Sequence, residues 1–394
     1  TSDTGWKGFQ VKSATFEGTG VAMGANATGV SHGLQSAWDN LASGGATTVD
    51  AGDGGPSIAQ AFAAFHAATP STLEQMLAVV ASQTTVAGPA AAPQGAVTAA
   101  NSVLSCPAFT TGVALQEGEC VWGRFLGARA EQDATRDATG YTEQTTGFAA
   151  GGQKALGDGW FLGGSLTYED SWFRNDAGTE KVEANSFTAA AALKKEVGPW
   201  LFALAGGAGY TWSDSSRYLS LGTLSAVAEA EPKSAVLFGR ARASYEIAFD
   251  TRFYMRPMVD LDVITVHQEG YRESGAGGLN LIVDDATKTV FGVTPGVEFG
   301  ARLDMGYGLP ARLFAGLGVS FLSDDTWEST ARFAGVSNMD QFTTVMPIAD
   351  TVGRLTAGID LQKVHGMQLK LQYDGAFADN YQSHGGSLRF GYRF

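Results

Sequence analysis

The sequence is poor in charge, in cysteine and in long apolar runs. Only 17% of its 394 residues are charged, and 26 basic against 40 acidic residues leave a formal charge of -14. Nucleic acid is excluded as a partner, because phosphate neutralisation supplies most of that affinity and no Lys/Arg cluster is present. Five scattered histidines suggest no metal site, and the composition calls for no cofactor. Glycine-rich pieces such as GGAGYTW (206–212) lack the strand-to-helix context of a phosphate loop. No stretch reaches the ~18 to 20 consecutive apolar residues of a spanning helix. A signal-peptide pattern is also missing from Thr1 onward, which points to a mature or trimmed chain. A membrane stays open, since a closed barrel satisfies its backbone as fully as a helix does.

The two cysteines, Cys106 and Cys120, stand too far from other ligands for a metal site. In an oxidising compartment they would close a loop worth ~3 kcal/mol by the chain-entropy model. A disulfide is the reading adopted; two free buried thiols, as in a cytosolic protein, are the alternative.

What the chain does have is glycine, 52 residues of it, and a change of pattern near Cys106. Upstream, FQVKSATFEGTGVAMG (9–24) alternates and turns at glycines, which predicts short strands within a β-rich segment 1–56. Segment 57–105 is alanine-rich and reads as helices broken by Pro70, Pro89 and Pro93, with Ser71 and Glu74 forming a capping pattern. From 106 to 394 the period is two. Met367, Leu369, Leu371 and Tyr373 share one face of a strand, and Gln368, Lys370, Gln372 and Asp374 share the other. The same split recurs at 354–362 and 290–303.

One apolar face is equally what a soluble sandwich shows, so the opposite face decides. It carries Arg240, Arg242, Glu246, Arg256, Asp260, Asp262, Glu298, Arg302, Arg312, Asp360, Lys370, Asp374, Arg389 and Arg393 between Gly, Ser and Thr. Opposite charges with small spacers suit a narrow, wet lumen in which they pair across the gap. The apolar face is rich in Phe, Tyr, Leu and Val, as lipid requires. Trp160, Trp200, Trp212 and Tyr245 stand at strand ends, placed for interfacial girdles or for ordinary packing.

Connections alternate in length. Short links fall at 156–160, 196–200, 248–252, 305–310 and 363–367, and longer polar ones at 132–140, 174–184, 213–233, 267–287, 323–342 and 379–386. This predicts an all-β fold: an up-and-down transmembrane barrel of about 12 antiparallel strands, with short periplasmic turns and longer outer loops. The last strand closes on the first, near CVWGRFLGARAE (120–131).

That first strand and the end, QLKLQYDGAFADNYQSHGGSLRFGYRF (368–394), resemble the translocator domain of type V autotransporters, which closes on an aromatic after Tyr-x-Gly-x-Phe. The resemblance covers 106–394 and extends loosely to the helical segment from 57. It implies an outer-membrane barrel of a Gram-negative bacterium, monomeric, through which an N-terminal passenger is exported to the surface. A helix is left in the pore, and APQGAVTAANSVLSC (92–106) occupies its place. It further implies outer-membrane lipid, periplasmic chaperones and the barrel-assembly machinery as partners. Leu388, Phe390, Tyr392 and Phe394 then serve as the assembly signal, and 1–56 resembles the stump of a β-helical passenger. Pro89, Pro93 and the cysteine pair depart from the general family pattern.

Some members cut themselves at an asparagine on the pore helix. Asn101-Ser102 stands where such a bond would lie, but the usual pair of adjacent asparagines is missing and a plain helix residue is preferred. A protease or lipase would use His267 with Asp260 and Asp262, or His384 with Asp379. Parity places Asp260 and Asp262 together in the lumen, but His267 falls at the rim of a long loop and His384 belongs to the terminal motif, so no catalytic residue is assigned. A stand-alone porin, or a surface adhesin or structural barrel, is the other reading; it shares the barrel but has no need of the upstream helix.

Overall fold

Alternating faces with turn residues between them produce twelve long antiparallel strands in the computed structural model of the chain. It describes residues 23–44, 54–81, 84–104, 106–109, 115–304, 310–337, 339–362 and 366–394. The barrel strands are β1 Cys120–Gln132, β2 Tyr141–Gly157, β3 Trp160–Asn175, β4 Glu180–Val197, β5 Trp200–Leu221 and β6 Lys233–Tyr245. They continue as β7 Phe253–Gln268, β8 Ala286–Asp304, β9 Pro310–Leu322, β10 Thr351–Gln362, β11 Met367–Ala378 and β12 Tyr381–Arg393. Each pairs with its neighbours in the chain. β12 returns to β1, with Tyr381 opposite Gln132 and Arg393 opposite Cys120, so no edge is left open. Among the described residues no helix is long and apolar enough to cross a membrane.

The two faces separate as parity requires. Phe125, Leu204, Leu237, Phe291 and Leu317 are each more than half exposed on the outer wall, whereas Arg240, Asp260, Arg312, Asp360 and Arg389 are buried in the lumen. Such an apolar exterior is stable only against hydrocarbon. Trp160 and Trp200 stand on it at the short-turn end, and Trp172 and Trp212 toward the other end. At the short end, tight turns join β2 to β3 and β4 to β5. The link between β2 and β3 places Gly157, Asp158 and Gly159 all at positive φ, the left-handed geometry of a two-stranded reversal.

The outer connections depart from the expected open loops. The links expected over 174–184 and 379–386 are tight, because β3 and β4 stay paired up to Arg174 and Lys181, and β11 and β12 up to Ala378 and Tyr381. Polar strand ends that rise above the lipid had read as loop. The stretch 213–233 is mostly strand, since β5 runs to Leu221 and turns back through Leu224–Ala230. Links 267–287 and 323–342 contribute to a small sheet of Tyr271–Arg272, Leu281–Val283, Thr326–Phe333 and Phe342–Pro347.

Among the described residues four helices precede the barrel: α1 Ala25–Ala42, α2 Ile58–Ala67, α3 Pro70–Val80 and α4 Thr84–Val103. The strands expected at 9–24 lie outside the described residues apart from Met23 and Gly24. The described part of 1–56 is mainly α1, a helix in place of the β-rich segment expected there. Pro70 opens α3, where its missing N–H costs nothing. The expected capping pair Ser71/Glu74 is replaced by Thr69, whose side chain accepts from the Thr72 N–H, and by a full capping box of Ser57 and Gln60 on α2. Pro89 and Pro93 do not break α4, which runs through both. At Pro93 the lumen wall surrounds the helix, and that tertiary constraint outweighs the local cost of a proline. Helices α1 to α3 sit on the outer sheet, and α4 enters the lumen.

Candidate functional site

Helix α4 contains no Asp, Glu, Lys or Arg, and this neutrality decides how it is held. Ala96, Ala99 and Ala100, at helical spacing, pack against Phe238, Ile264 and Val266 of the wall and against Trp327 and Met346 of the outer sheet. One turn further, Val103 and Leu104 meet Ala192, Ala203 and Ala205. The helix therefore enters at the long-loop end and leaves beside the short turns.

Its oxygens are taken by cations from four sides of the barrel. Arg354 of β10 donates to Gln94 Oε1 at 3.1 Å, and Arg124 of β1 to Ser102 Oγ at 2.9 Å. Arg240 and Arg242 of β6 both donate to Asn101 Oδ1, at 2.7 and 2.9 Å. Lys194 of β4 donates to the Leu104 carbonyl at 2.6 Å, satisfying an orphan oxygen just past the helix and complementing the negative end of its dipole.

Lys194 also belongs to a lock at the short-turn end. Its Nζ lies 2.8 Å from Glu117 Oε2, with 0% and 3% of the two side chains exposed. Gln153 donates to the same oxygen at 2.8 Å and to the Gly118 carbonyl at 3.0 Å. Cys106 and Cys120 are bonded to each other, which ties the exit of α4 to the start of β1. Helix, the floor segment formed by the paired strands Pro107–Phe109 and Leu115–Glu117, and first strand are thereby fastened at one level.

Every charge expected in the lumen is on the inner face. Arg240 holds Asp262 through two bonds of 2.7 and 2.9 Å, and Arg242 holds Asp260 through two of 2.6 Å. Glu298 receives Tyr254 at 2.8 Å, Arg256 at 2.9 Å and Arg312 at 3.1 Å, while Arg302 reaches Glu246 at 3.1 Å. Arg302, Arg312, Asp360, Lys370, Arg389 and Arg124 are successive cross-strand partners, a rung of five cations and one acid. Direct like-charge neighbours destabilise a sheet, and the adjoining rows answer this: Asp374 lies 3.7 Å from Arg124. Aromatic faces serve as well, with Lys370 and Arg312 over Phe314 at 4.8 and 4.5 Å and Arg389 over Trp122 at 4.9 Å. Arg393, the last expected charge, is half-buried near the floor, next to Gly118.

The assembly-signal positions lie on the opposite wall. Phe390, Tyr392 and Phe394 are exposed on the outer face and Leu388 is half-buried there. The catalytic combinations do not come together. His267 faces outward and bonds Thr287 at 2.8 Å, on the other side of the wall from Asp260 and Asp262; His384 bonds Tyr373 at 2.7 Å.

Sequence reading missed Lys194, Glu117, Arg124 and Arg354 as holders of the helix. Lys194-Lys195 looks like a solvated pair, yet alternation sends Lys194 inward and Lys195 toward Trp160, 4.9 Å away. Counting parity back from Leu193 would have found it. Glu117 precedes the first barrel strand and carries no such signal.

The autotransporter beta-domain family model matches residues 121–374. Among solved structures, the translocator domain of the autotransporter NalP from Neisseria meningitidis is similar at TM-score 0.60 and 16% identity, covering 80% of this chain and all of that one. The beta domain of the Bordetella autotransporter BrkA gives 0.51 at 18% identity over 71% of this chain and all of its own. The transport unit of AIDA-I from Escherichia coli gives 0.52 at 12% identity, covering 70% of this chain and 90% of its own. At these identities the likeness is one of fold. No curated protein matches the sequence.

Proposed function

The chain belongs to the autotransporter beta-domain family, and from that premise we propose that its outer-membrane barrel exports the segment upstream of it through the lumen and anchors that segment at the cell surface. The position of α4 carries this reading. A neutral helix runs from the long-loop end to the short-turn end and is continuous with the first barrel strand through the Cys106–Cys120 bond. Such a path connects an N-terminal segment outside with a barrel whose β1 and β12 both end on the short-turn side.

Three parts follow: the described part of 1–56 with α2 and α3 beyond the outer mouth, α4 as the plug, and 106–394 as the translocator. The outward Leu388, Phe390, Tyr392 and Phe394 form the address read by the barrel-assembly machinery, after periplasmic chaperones have kept the apolar strands apart. One chain closes the barrel, which supports a monomer. The helix-filled lumen weighs against a diffusion porin. The scattered histidine contacts give no support to hydrolysis, which favours the transport reading.

The test uses intact cells and the substitution Ala63→Cys, on the exposed side of α2. A membrane-impermeant maleimide is expected to label it without permeabilisation, because the two native cysteines are bonded to each other. Labelling seen only after the outer membrane is opened would overturn the export reading.

A further inference from the structure

Above the barrel, one apolar core is built from two parts of the chain far apart in sequence. Leu34, Phe62 and Leu77 come from α1, α2 and α3; Leu281, Phe333 and Phe342 come from the outer connections; all six are buried together. Neither half stands alone. Helices of 10 and 11 residues are marginal in water, and the connections without them would present a bare apolar sheet.

The two halves also match at the backbone. A Cβ on Gly55 would come within 2.3 Å of the Gly277 nitrogen, and one on Gly29 within 2.6 Å of the Thr343 carbonyl oxygen. These glycines allow main chain to lie on main chain, and the Gly278 N–H donates to the Pro56 carbonyl at 2.9 Å. Asn26 completes the outer edge of the sheet: its Oδ1 accepts from the Val345 N–H at 2.6 Å and its Nδ2 donates to the Val345 carbonyl at 2.9 Å. Buried Arg217, paired with Glu273, donates to the Val80 carbonyl of α3 at 3.5 Å and to the Leu279 carbonyl of the loop at 3.2 Å. The loop side thus offers apolar pockets, glycine docks, an edge strand and a guanidinium, each answered by one feature of the helices.

We propose that the outer connections of the barrel are a folding template for the chain's own exported helices, which dock there as they emerge and remain as a permanent cap. The inference rests on the export reading. α3 ends at Val80 and α4 begins at Thr84, so docking outside and residence of α4 inside are mechanically linked. The cap then holds the plug, and export becomes irreversible when the helices find the loops.

Gly55→Val and, separately, Gly29→Val in the full chain test this, since both positions lie outside the barrel and face its loops. Three readouts are taken in cells carrying Ala63→Cys: heat-modifiable migration of the barrel, labelling by impermeant maleimide, and resistance of the surface helices to added protease. The expected result is a barrel formed at the parental level, with the protease-resistant labelled fraction lowered by about tenfold or more, the effect of ~1.4 kcal/mol. Full protease resistance in both variants would overturn the template. So would loss of the barrel itself, which would make the helices a requirement for the barrel instead of its client. If the parental Ala63→Cys chain fails to label in intact cells, the export reading fails instead, and the two failures are told apart.

Discussion

Removing one member of the short-end lock should unfasten α4 from below. Lys194→Met deletes the only cation within ion-pair distance of Glu117 among the described residues and strips the Leu104 carbonyl of its donor. The remaining carboxylate is almost fully enclosed, with only the Gln153 amide as side-chain donor. Breaking a buried pair from one side costs ~3–5 kcal/mol, chiefly because an uncompensated charge stays behind. If the strain is relieved by the floor segment swinging out, its opening equilibrium shifts by about 10²- to 4 × 10³-fold, at 1.4 kcal/mol per decade. Lys194→Met with Glu117→Met removes both charges. It leaves Gln153 its bond to Gly118 and strands only the Leu104 carbonyl, a cost of ~1–3 kcal/mol. Single-channel recording of the purified chain in planar bilayers reads the opening frequency directly. Openings should be frequent in the single variant and rarer in the double. A double variant that opens as often as the single, or a single that stays as quiet as the parent, would refute the lock.

Replacing both Cys106 and Cys120 by serine removes a loop closure of about 3 kcal/mol, and hydrogen exchange at 95–104 should accelerate while exchange in β7 and β8 does not. Asn26→Ala leaves the Val345 N–H and carbonyl without partners, a loss of ~1–3 kcal/mol; faster exchange along 342–347 is the readout, with barrel migration unchanged. Deleting Phe394 should lower the amount of assembled barrel in cells, yet leave refolding of the denatured chain into detergent micelles nearly unaffected, because that residue projects outward and bonds nothing in the lumen. N-terminal sequencing of the surface-bound protein should find no new terminus at Ser102.

Parity was the most legible property of the chain. Where one residue faces lipid and the next faces confined water, as along 367–374, the two media write themselves into the order of residues. The lumen side of each named charge follows from it, whereas strand number and closure near 120–131 follow from the alternation of connection lengths. Outer connections were less legible: 174–184 and 379–386 are polar because they rise above lipid, and a polar strand end has the composition of a loop. Helix α1 lay hidden under glycines that look like turns, although Gly29 and Gly33 serve close approach to the Phe342–Pro347 strand.

By itself, then, the order of residues determined which side of each strand meets hydrocarbon, because the period of two is a local property of the backbone. It also determined that a small, uncharged helix precedes the barrel. Only the tertiary structure decided who holds that helix and what covers the outer mouth. Lys194 meets Glu117 across 77 positions and Asn26 meets Val345 across 319. Contacts at such separations depend on barrel closure and loop packing, and no pattern in neighbouring residues encodes them.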